Sequence, residues 1–396
     1  MKKVAITLAR KAVKYENIFT NGIHQNIYTL QNLLKKTGLY DVSLVYDYTK
    51  FYAENSEEAK NDIDLLQQEK YTFYEKYSEF DVNKVLHKAD TLDENINALK
   101  DFDILIEVGF MYNSRDLTKV KKLNPNMKVA FIAYGNQYFD AVEKVLFPDR
   151  GLPSTYAEGR DALWLSPHYE PWLEWHKTLF KTDNGSIAPY VWSPHFFKKN
   201  LEENMSMTRE NYSLSGKRNI SVMEPNLGFT KNAILPITII ENLYRKNPDK
   251  FDQSYILNSK HFTQVKAAQD LFTRLDVVKD KKMSFEARYR ITDFFNTHAS
   301  VLLSHQDNNA LNYVYLECLY LGIPFVHNSK FFKEVGFYYE GYDVSEGARQ
   351  LTKALDSINN ESPNGDKTEE YLWKYSPENP DNINGYIKLI EDVLTK

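Results

Sequence analysis

The arrangement in this chain best suited to chemistry is a carboxylate set about two helical turns behind a polar strand-to-helix loop. It occurs in Ser304-His305-Gln306-Asp307-Asn308-Asn309-Ala310-Leu311, which leads into the apolar run holding Glu317 and stops at Gly322-Ile323-Pro324. A helix starting near Asn309 leaves the backbone N–H groups of Asn309, Ala310 and Leu311 without intrahelical partners. Its dipole favours an anion such as pyrophosphate there. Glu317 is flanked by Leu316, Cys318 and Leu319. A carboxylate beside such a run must be hydrogen-bonded or reach a cleft. Its two oxygens match the two hydroxyl donors of a ribose diol; the alternative is a helix carboxylate at a packing boundary, paired with a nearby base.

Strands ending in loops have to position these groups, and the chain is patterned for them. In the second half, strands are expected at Ile220–Met223, Tyr255–Leu257, Met283–Phe285, Val301–Ser304 and Pro324–His327. Helices are expected over Asn232–Arg245, His261–Leu275, Tyr289–Thr297 and Ala310–Leu321. The first half uses the same alternation, with strands at Val4–Ala9, Val42–Tyr46, Asp103–Val108 and Val129–Ala133. A helix from His24 to Lys36 places Ile27, Leu30, Leu33 and Leu34 on one face and ends at Gly38. Strands separated by helices imply parallel sheets, so the class is α/β with two doubly wound, Rossmann-like domains. The expected boundaries are 1–192 for the first domain, with a helical insertion at about 51–100, then a linker at 193–217. The second domain covers 218–376, and a last segment, 377–396, is expected to cross back to the first.

Composition narrows the class of function. The 396 residues are 42% hydrophobic and 26% charged, which suits two globular cores. The net charge of −5 argues against a coat of positive charge for nucleic acid, although Lys119–Lys128 and Lys279–Arg290 are local basic stretches. Cys318 is the single cysteine, so neither an intrachain disulfide nor a thiolate metal cluster can form. No stretch approaches the roughly 20 apolar residues of a membrane span, and the first residues lack the apolar core of a signal peptide. A cytoplasmic location is therefore expected, that of the host if the protein is of phage origin.

The segment from Asn219 to Ala354 resembles the retaining GT-B glycosyltransferases with a Glu-x7-Glu signature, the type with a glycosyltransferase family 4-like C-terminal domain. The first half is similar only in architecture. The resemblance implies two Rossmann-like domains facing across a cleft, with the nucleotide-sugar donor on the second. It assigns Glu317 to the nucleotide ribose and puts Asn309 where the family has its first glutamate, beside the donor sugar. In the loop Glu224-Pro225-Asn226-Leu227-Gly228-Phe229-Thr230-Lys231, the family has a Gly-containing turn and a lysine that neutralises the donor diphosphate. Asn226, Gly228 and above all Lys231 take those places. A diphosphate leaving group gains negative charge in the transition state, which suits an ammonium there. The arginine that the family often pairs with this lysine is missing from the loop, and Arg288 or Arg290 is the candidate substitute.

In the first domain, Asn21, Gly22 and His24 lie between the first strand and helix, and Gly135 and Asn136 follow another strand. His168, expected with Lys231 and Asn309 among the catalytic residues, follows the strand Leu163-Trp164-Leu165. These are candidate acceptor or sugar contacts, against ordinary capping or packing. The triplet Asp101-Phe102-Asp103 leads into an apolar strand and reads as strand entry rather than a metal site. The expected chemistry is transfer of a sugar from a nucleoside-diphosphate sugar, such as a UDP-sugar, to an acceptor hydroxyl with retention and without metal or cofactor. The acceptor is expected to be a glycan, a lipid or another envelope component, or hydroxymethylated bases of phage DNA. The alternatives are a catalytically silent nucleotide- or glycan-binding protein of the same fold and a sugar-nucleotide epimerase.

Overall fold

Apolar runs too short for helices build two parallel sheets, each in its own part of the chain. The computed structural model describes residues 1–8, 22–46, 85–86, 92–147, 149 and 158–396. They divide into one unit of Met1–Ser193 with Tyr375–Lys396, and a second of Pro194–Lys374.

The first unit holds β1 (Lys2–Leu8), β2 (Tyr40–Tyr46), β3 (Val85–Leu86), β4 (Ile104–Glu107), β5 (Lys128–Ala133), β6 (Ala162–Leu165) and β7 (Gly185–Ile187). Their spatial order is β3-β2-β1-β4-β5-β6-β7, all pairs parallel. All four residues of β4 and of β6 are buried, as in a sheet covered on both faces. The first helix, α1 (Gly22–Lys36), buries Ile27, Leu30, Leu33 and Leu34. Gly38 follows with φ +69°, a left-handed position that suits glycine. Of the insertion at 51–100, the described residues include β3 and a short helix, Leu92–Asn97. Asp103 accepts the backbone N–H of Lys3 (2.7 Å), so this end of the triplet ties the entries of two neighbouring strands.

The second unit holds β8 (Ile220–Val222), β9 (Ser254–Ile256), β10 (Met283–Phe285), β11 (Val301–Leu303), β12 (Phe325–His327) and β13 (Phe337–Tyr338), in the order β10-β9-β8-β11-β12-β13. Both sheets therefore start from a central strand, run to one edge and return to build the other side, the doubly wound pattern. The 193–217 stretch is not a linker: α2 (His195–Met205) lies in it and buries Phe196, Phe197 and Leu201. Its apolar residues fall on one helical face, a pattern hidden by the polar residues around them. Helix α3 (Ile234–Lys246) carries Pro236 in its first turn, where no intrahelical N–H is needed. The helix expected over His261–Leu275 is a 3-10 turn, Lys260–Gln264, followed by a helix from Lys266 to Phe272.

The chain closes with α4 (Pro380–Leu394), part of the first unit. Tyr386 donates its hydroxyl to the Pro189 carbonyl (2.8 Å), Tyr40 donates to Glu391 (2.9 Å), and Lys2 pairs with Glu391 at 2.5 Å. A Cβ added to Gly385 would stand 2.6 Å from Cγ of Pro189, a ring that can yield only by changing its pucker. We therefore expect Gly385→Ala to lower stability by about 1–3 kcal/mol through overpacking. Thermal or denaturant unfolding measures it, and a variant as stable as the parent would contradict the tight seating of α4.

Candidate functional site

In the second unit the neighbouring strands β8 and β11 lead to opposite halves of the sheet, so the loops that follow them part at a topological switch point. Glu224, two residues beyond β8, is buried there. Ser304, the first residue after β11, donates its hydroxyl to Glu224 Oε1 (2.5 Å), and the His305 N–H reaches the same oxygen (3.3 Å). Because Ser304 spends its proton on Glu224, the Tyr315 hydroxyl is the donor in its 3.0 Å contact with Ser304 Oγ. Tyr339 donates to the Ser304 carbonyl (3.2 Å), which leaves His305 Nδ1 as donor to the Tyr339 oxygen (2.9 Å).

The loop from Glu224 to Ala233 owes its shape largely to Asn226. This residue has φ +57°, which Asn tolerates better than most residues. Its side-chain amide donates to the carbonyls of Glu224 (3.0 Å) and Leu257 (3.1 Å), and its oxygen accepts the Ala233 N–H (2.8 Å). A single bridge pairs Gly228 with Lys231. The Asp307 N–H donates to the Thr230 carbonyl (2.8 Å), joining this loop to the one after β11. Lys231 is half-buried, and its charge interacts with that of Glu224. Burial draws the proton affinity of the lysine down while the carboxylate draws it up.

The loop after β11 runs further than expected. The helix bearing Glu317 spans Tyr313–Leu321 and is capped by Asn312, whose side chain accepts the Val314 N–H (3.4 Å). Asn309, Ala310 and Leu311 therefore lie in the loop, not in a first helical turn. The Asn309 N–H is engaged by Gln306 Oε1 (2.7 Å). Asn308 at φ +53° and the extended Asn312 delay the helix, because each of these backbone conformations lies outside the helical region. Asn328 accepts the Gln306 N–H (3.0 Å) and donates to the Gln306 carbonyl (2.8 Å), continuing the β11–β12 pairing with a side chain.

Glu317 is half-buried, and burial pushes its carboxyl up to about 8, against the opposing pull of Arg288. Arg288 is exposed in the stretch after β10. Arg290 instead pairs with Asp293 (2.7 Å) and donates to Asn200 of α2 (3.0 Å), which gives it a packing role. Glu224, Ser304, Tyr315 and Tyr339 were not legible as a group in the sequence. The available signal was an acidic residue immediately past a buried strand, seven positions before Lys231.

The first unit has its own opening at the ends of β4 and β5, a cavity of about 420 Å³ lined by Ile23, Phe110, Met111, Gly135, Asn136 and Gln137 among others. Thr7 shapes it: its hydroxyl accepts the Val108 N–H (2.8 Å) and donates to the Phe110 carbonyl (2.9 Å). A fully buried ion pair, Arg160 to Glu107 at 2.5 Å, holds the next turn, with Tyr112 bonded to both partners. Asn136 also caps the helix Gln137–Leu146. Gly22 and His24 belong to α1 rather than to a loop, and His24 is buried. Asn21 lies outside the described residues. His168 is buried in a 3-10 turn, its ring packed on Tyr169. Among the described residues no three His, Cys, Asp or Glu side chains converge to hold a metal ion, and no helix is long and apolar enough to cross a membrane.

Two doubly wound parallel units with loops gathered at their strand ends are the GT-B fold. The chain is similar to a glycosyltransferase from Rickettsia africae ESF-5 (TM-score 0.53, 9% identity, covering 100% of this chain and 98% of that one). It is likewise similar to TarM (0.56, 9%, 100% and 99%) and to a UDP-forming alpha,alpha-trehalose-phosphate synthase from Burkholderia xenovorans (0.52, 11%, 100% and 99%). The chain belongs to the family DUF2827, described as a protein of unknown function, whose pattern matches residues 4–390. No curated protein matches the sequence.

Buried and half-buried groups of the second unit are shifted in opposite directions. Burial pushes Glu224 up to about 7 and Glu317 up to about 8 from 4.5, and holds His305 and His327 down at about 4 from 6.5. The carboxyls add stability that is complete below 4.5 and lost as pH rises toward 7 and 8; the imidazoles add stability present above 6.5 and lost as pH falls toward 4. These four groups should give a plateau between 4.5 and 6.5 with a decline on either side. Thermal unfolding across pH should show the alkaline decline flattened in a Glu224→Gln/Glu317→Gln double variant. Identical profiles would refute the assignment.

Proposed function

We propose that this protein is a retaining glycosyltransferase that takes its sugar from a nucleoside-diphosphate sugar bound in the second unit. The observation that carries the reading is the position of Lys231. Its loop is joined to the loop after β11 at the switch point, where doubly wound sheets bind their ligands. An ammonium held there neutralises the charge that builds on a departing diphosphate. With that charge met by a side chain, the reaction proposed here uses no metal.

Glu317 is assigned to the ribose diol, with Arg288 close enough to act on its charge. A carboxyl that burial has made basic gains from new hydroxyl donors, which favour its ionised form. Asn309 takes the position beside the donor sugar and offers amide hydrogen bonds rather than a charge. The acceptor hydroxyl attacks from the face that the diphosphate leaves, and a phosphate oxygen takes its proton, so no protein nucleophile is needed.

The acceptor is assigned to the first unit, at the cavity near Asn136 and Gln137, and a glycan hydroxyl is the favoured class. Phe110, Met111 and the backbone of Gly109 and Gly135 offer an apolar, close-approach wall to a sugar ring. A DNA acceptor is less well supported, since Lys119 and Lys121 are paired with Asp93 and Asp161, and Lys279 with Asp276. These pairs reduce the positive field that a phosphate backbone would need.

The test is a screen of UDP- and other nucleotide-sugars for binding and slow hydrolysis. Lys231→Ala and Glu317→Ala should each weaken donor binding by about 10–100-fold, the loss of a charge-assisted hydrogen bond. Variants that bind and turn over like the parent would remove the donor-site assignment. Ligand-induced stabilisation without turnover on any donor would instead identify a silent binding protein of this fold.

A further inference from the structure

The carboxylate of Glu224 lies seven residues before the lysine assigned to the diphosphate and its charge acts on that lysine, which is the wrong charge to leave near an incoming anion. We propose that Glu224 takes up one proton when a nucleoside diphosphate binds beside Lys231, so that the charge of the lysine is left to the anion alone. This rests on the donor site proposed above and adds a proton to its binding equilibrium.

The geometry supplies the parts. Glu224 and Lys231 belong to one short loop whose ends are fixed by Asn226. The carboxyl is 3% exposed, so its charge is poorly solvated and depends on a few neighbours. Those neighbours are the Ser304 hydroxyl and the His305 N–H on Oε1, with the Lys231 ammonium acting from beyond ion-pair distance. Beyond them, the Tyr315 and Tyr339 hydroxyls act on the group as negative charge would if they ionised, and burial keeps both protonated. The His305 ring is neutral near neutral pH, since burial outweighs the pull of Asp307. Lys231 is thus the one cation in the described surroundings whose charge acts on Glu224.

Burial against these partners poises the carboxyl at about 7, so a small change of field decides its state. A diphosphate next to Lys231 adds negative charge and draws off the one stabilising cation. Both effects favour the neutral acid. The proton comes from solvent and forms an O–H bond on Glu224; nothing is oxidised and no other bond changes. Neutral Glu224 still receives its hydrogen bonds on one oxygen and carries the proton on the other.

The experiment is calorimetric titration with UDP at several pH values, in two buffers of different ionisation enthalpy. UDP titrates too, so parent and Glu224→Gln are compared and the nucleotide contribution cancels. The parent should take up up to about one proton more than the variant above pH 7, with its affinity falling by up to about tenfold more per pH unit. Glu224→Gln, neutral at every pH, should bind UDP at least as tightly as the parent there and lack that extra slope. Ser304→Ala removes a donor to the charged form, so the parent's transition should move to higher pH; this second variant serves if the first is unstable. UDP binding that needs Lys231 but takes up the same number of protons in parent and Glu224→Gln would overturn this inference alone. Failure of the parent to bind any nucleoside diphosphate would overturn the donor site and this inference with it.

Discussion

A buried carboxylate needs partners, and in this protein the partners of Glu224 come from the other side of a topological break. The strand before it, β8, and the strand before Ser304, β11, are neighbours whose following segments build opposite halves of the sheet. One hydroxyl and one backbone N–H close the gap between the two loops. The same closure brings Lys231 to the break, because Thr230 is bonded to Asp307 across it. Without these bonds the loops would have no fixed relation, and the lysine no fixed place for its charge.

The polar groups around this closure form a directed chain. Tyr315 donates to Ser304, which donates to Glu224, while His305 donates to Tyr339, which donates back to the Ser304 carbonyl. Each hydroxyl proton has one use, so the donors and acceptors specify one another. In a poorly solvated environment such a network is stiff, since leaving any member unpaired costs about 1–3 kcal/mol. A network this stiff leaves little ordering to be done when a ligand binds.

The first unit solves a similar problem with different residues. Thr7 bridges the ends of β1 and β4, and the Arg160–Glu107 pair holds the turn after β4 away from water. The result is an opening rather than a closed loop, walled by Phe110 and Met111 and edged by Asn136. The last helix belongs to this unit because Gly385 lets it lie against Pro189 and Tyr386 finds the Pro189 carbonyl. Two sheets of like topology thus present different surfaces, one polar and networked, the other apolar and open.

Strand identity was readable from residue order, since runs such as Ile104-Leu105-Ile106 have no other buried use at that length. So was the amphipathic face of α1, and the presence of a lysine and a glutamate at strand-to-helix junctions. What misled was local: the helix of Glu317 starts at Tyr313 because Asn308 and Asn312 hold non-helical backbone angles that spacing does not reveal. The helix His195–Met205 was obscured because its buried Phe196, Phe197 and Leu201 are scattered among lysines and glutamates. By itself the sequence determined an α/β class, two cores and the charged groups available at strand ends, because hydrophobic period and turn residues act over a few neighbours. Only the tertiary structure decided that Glu224 meets Ser304, 80 positions away. That pairing depends on which strands lie side by side, and strand order is set by the packing of the whole sheet.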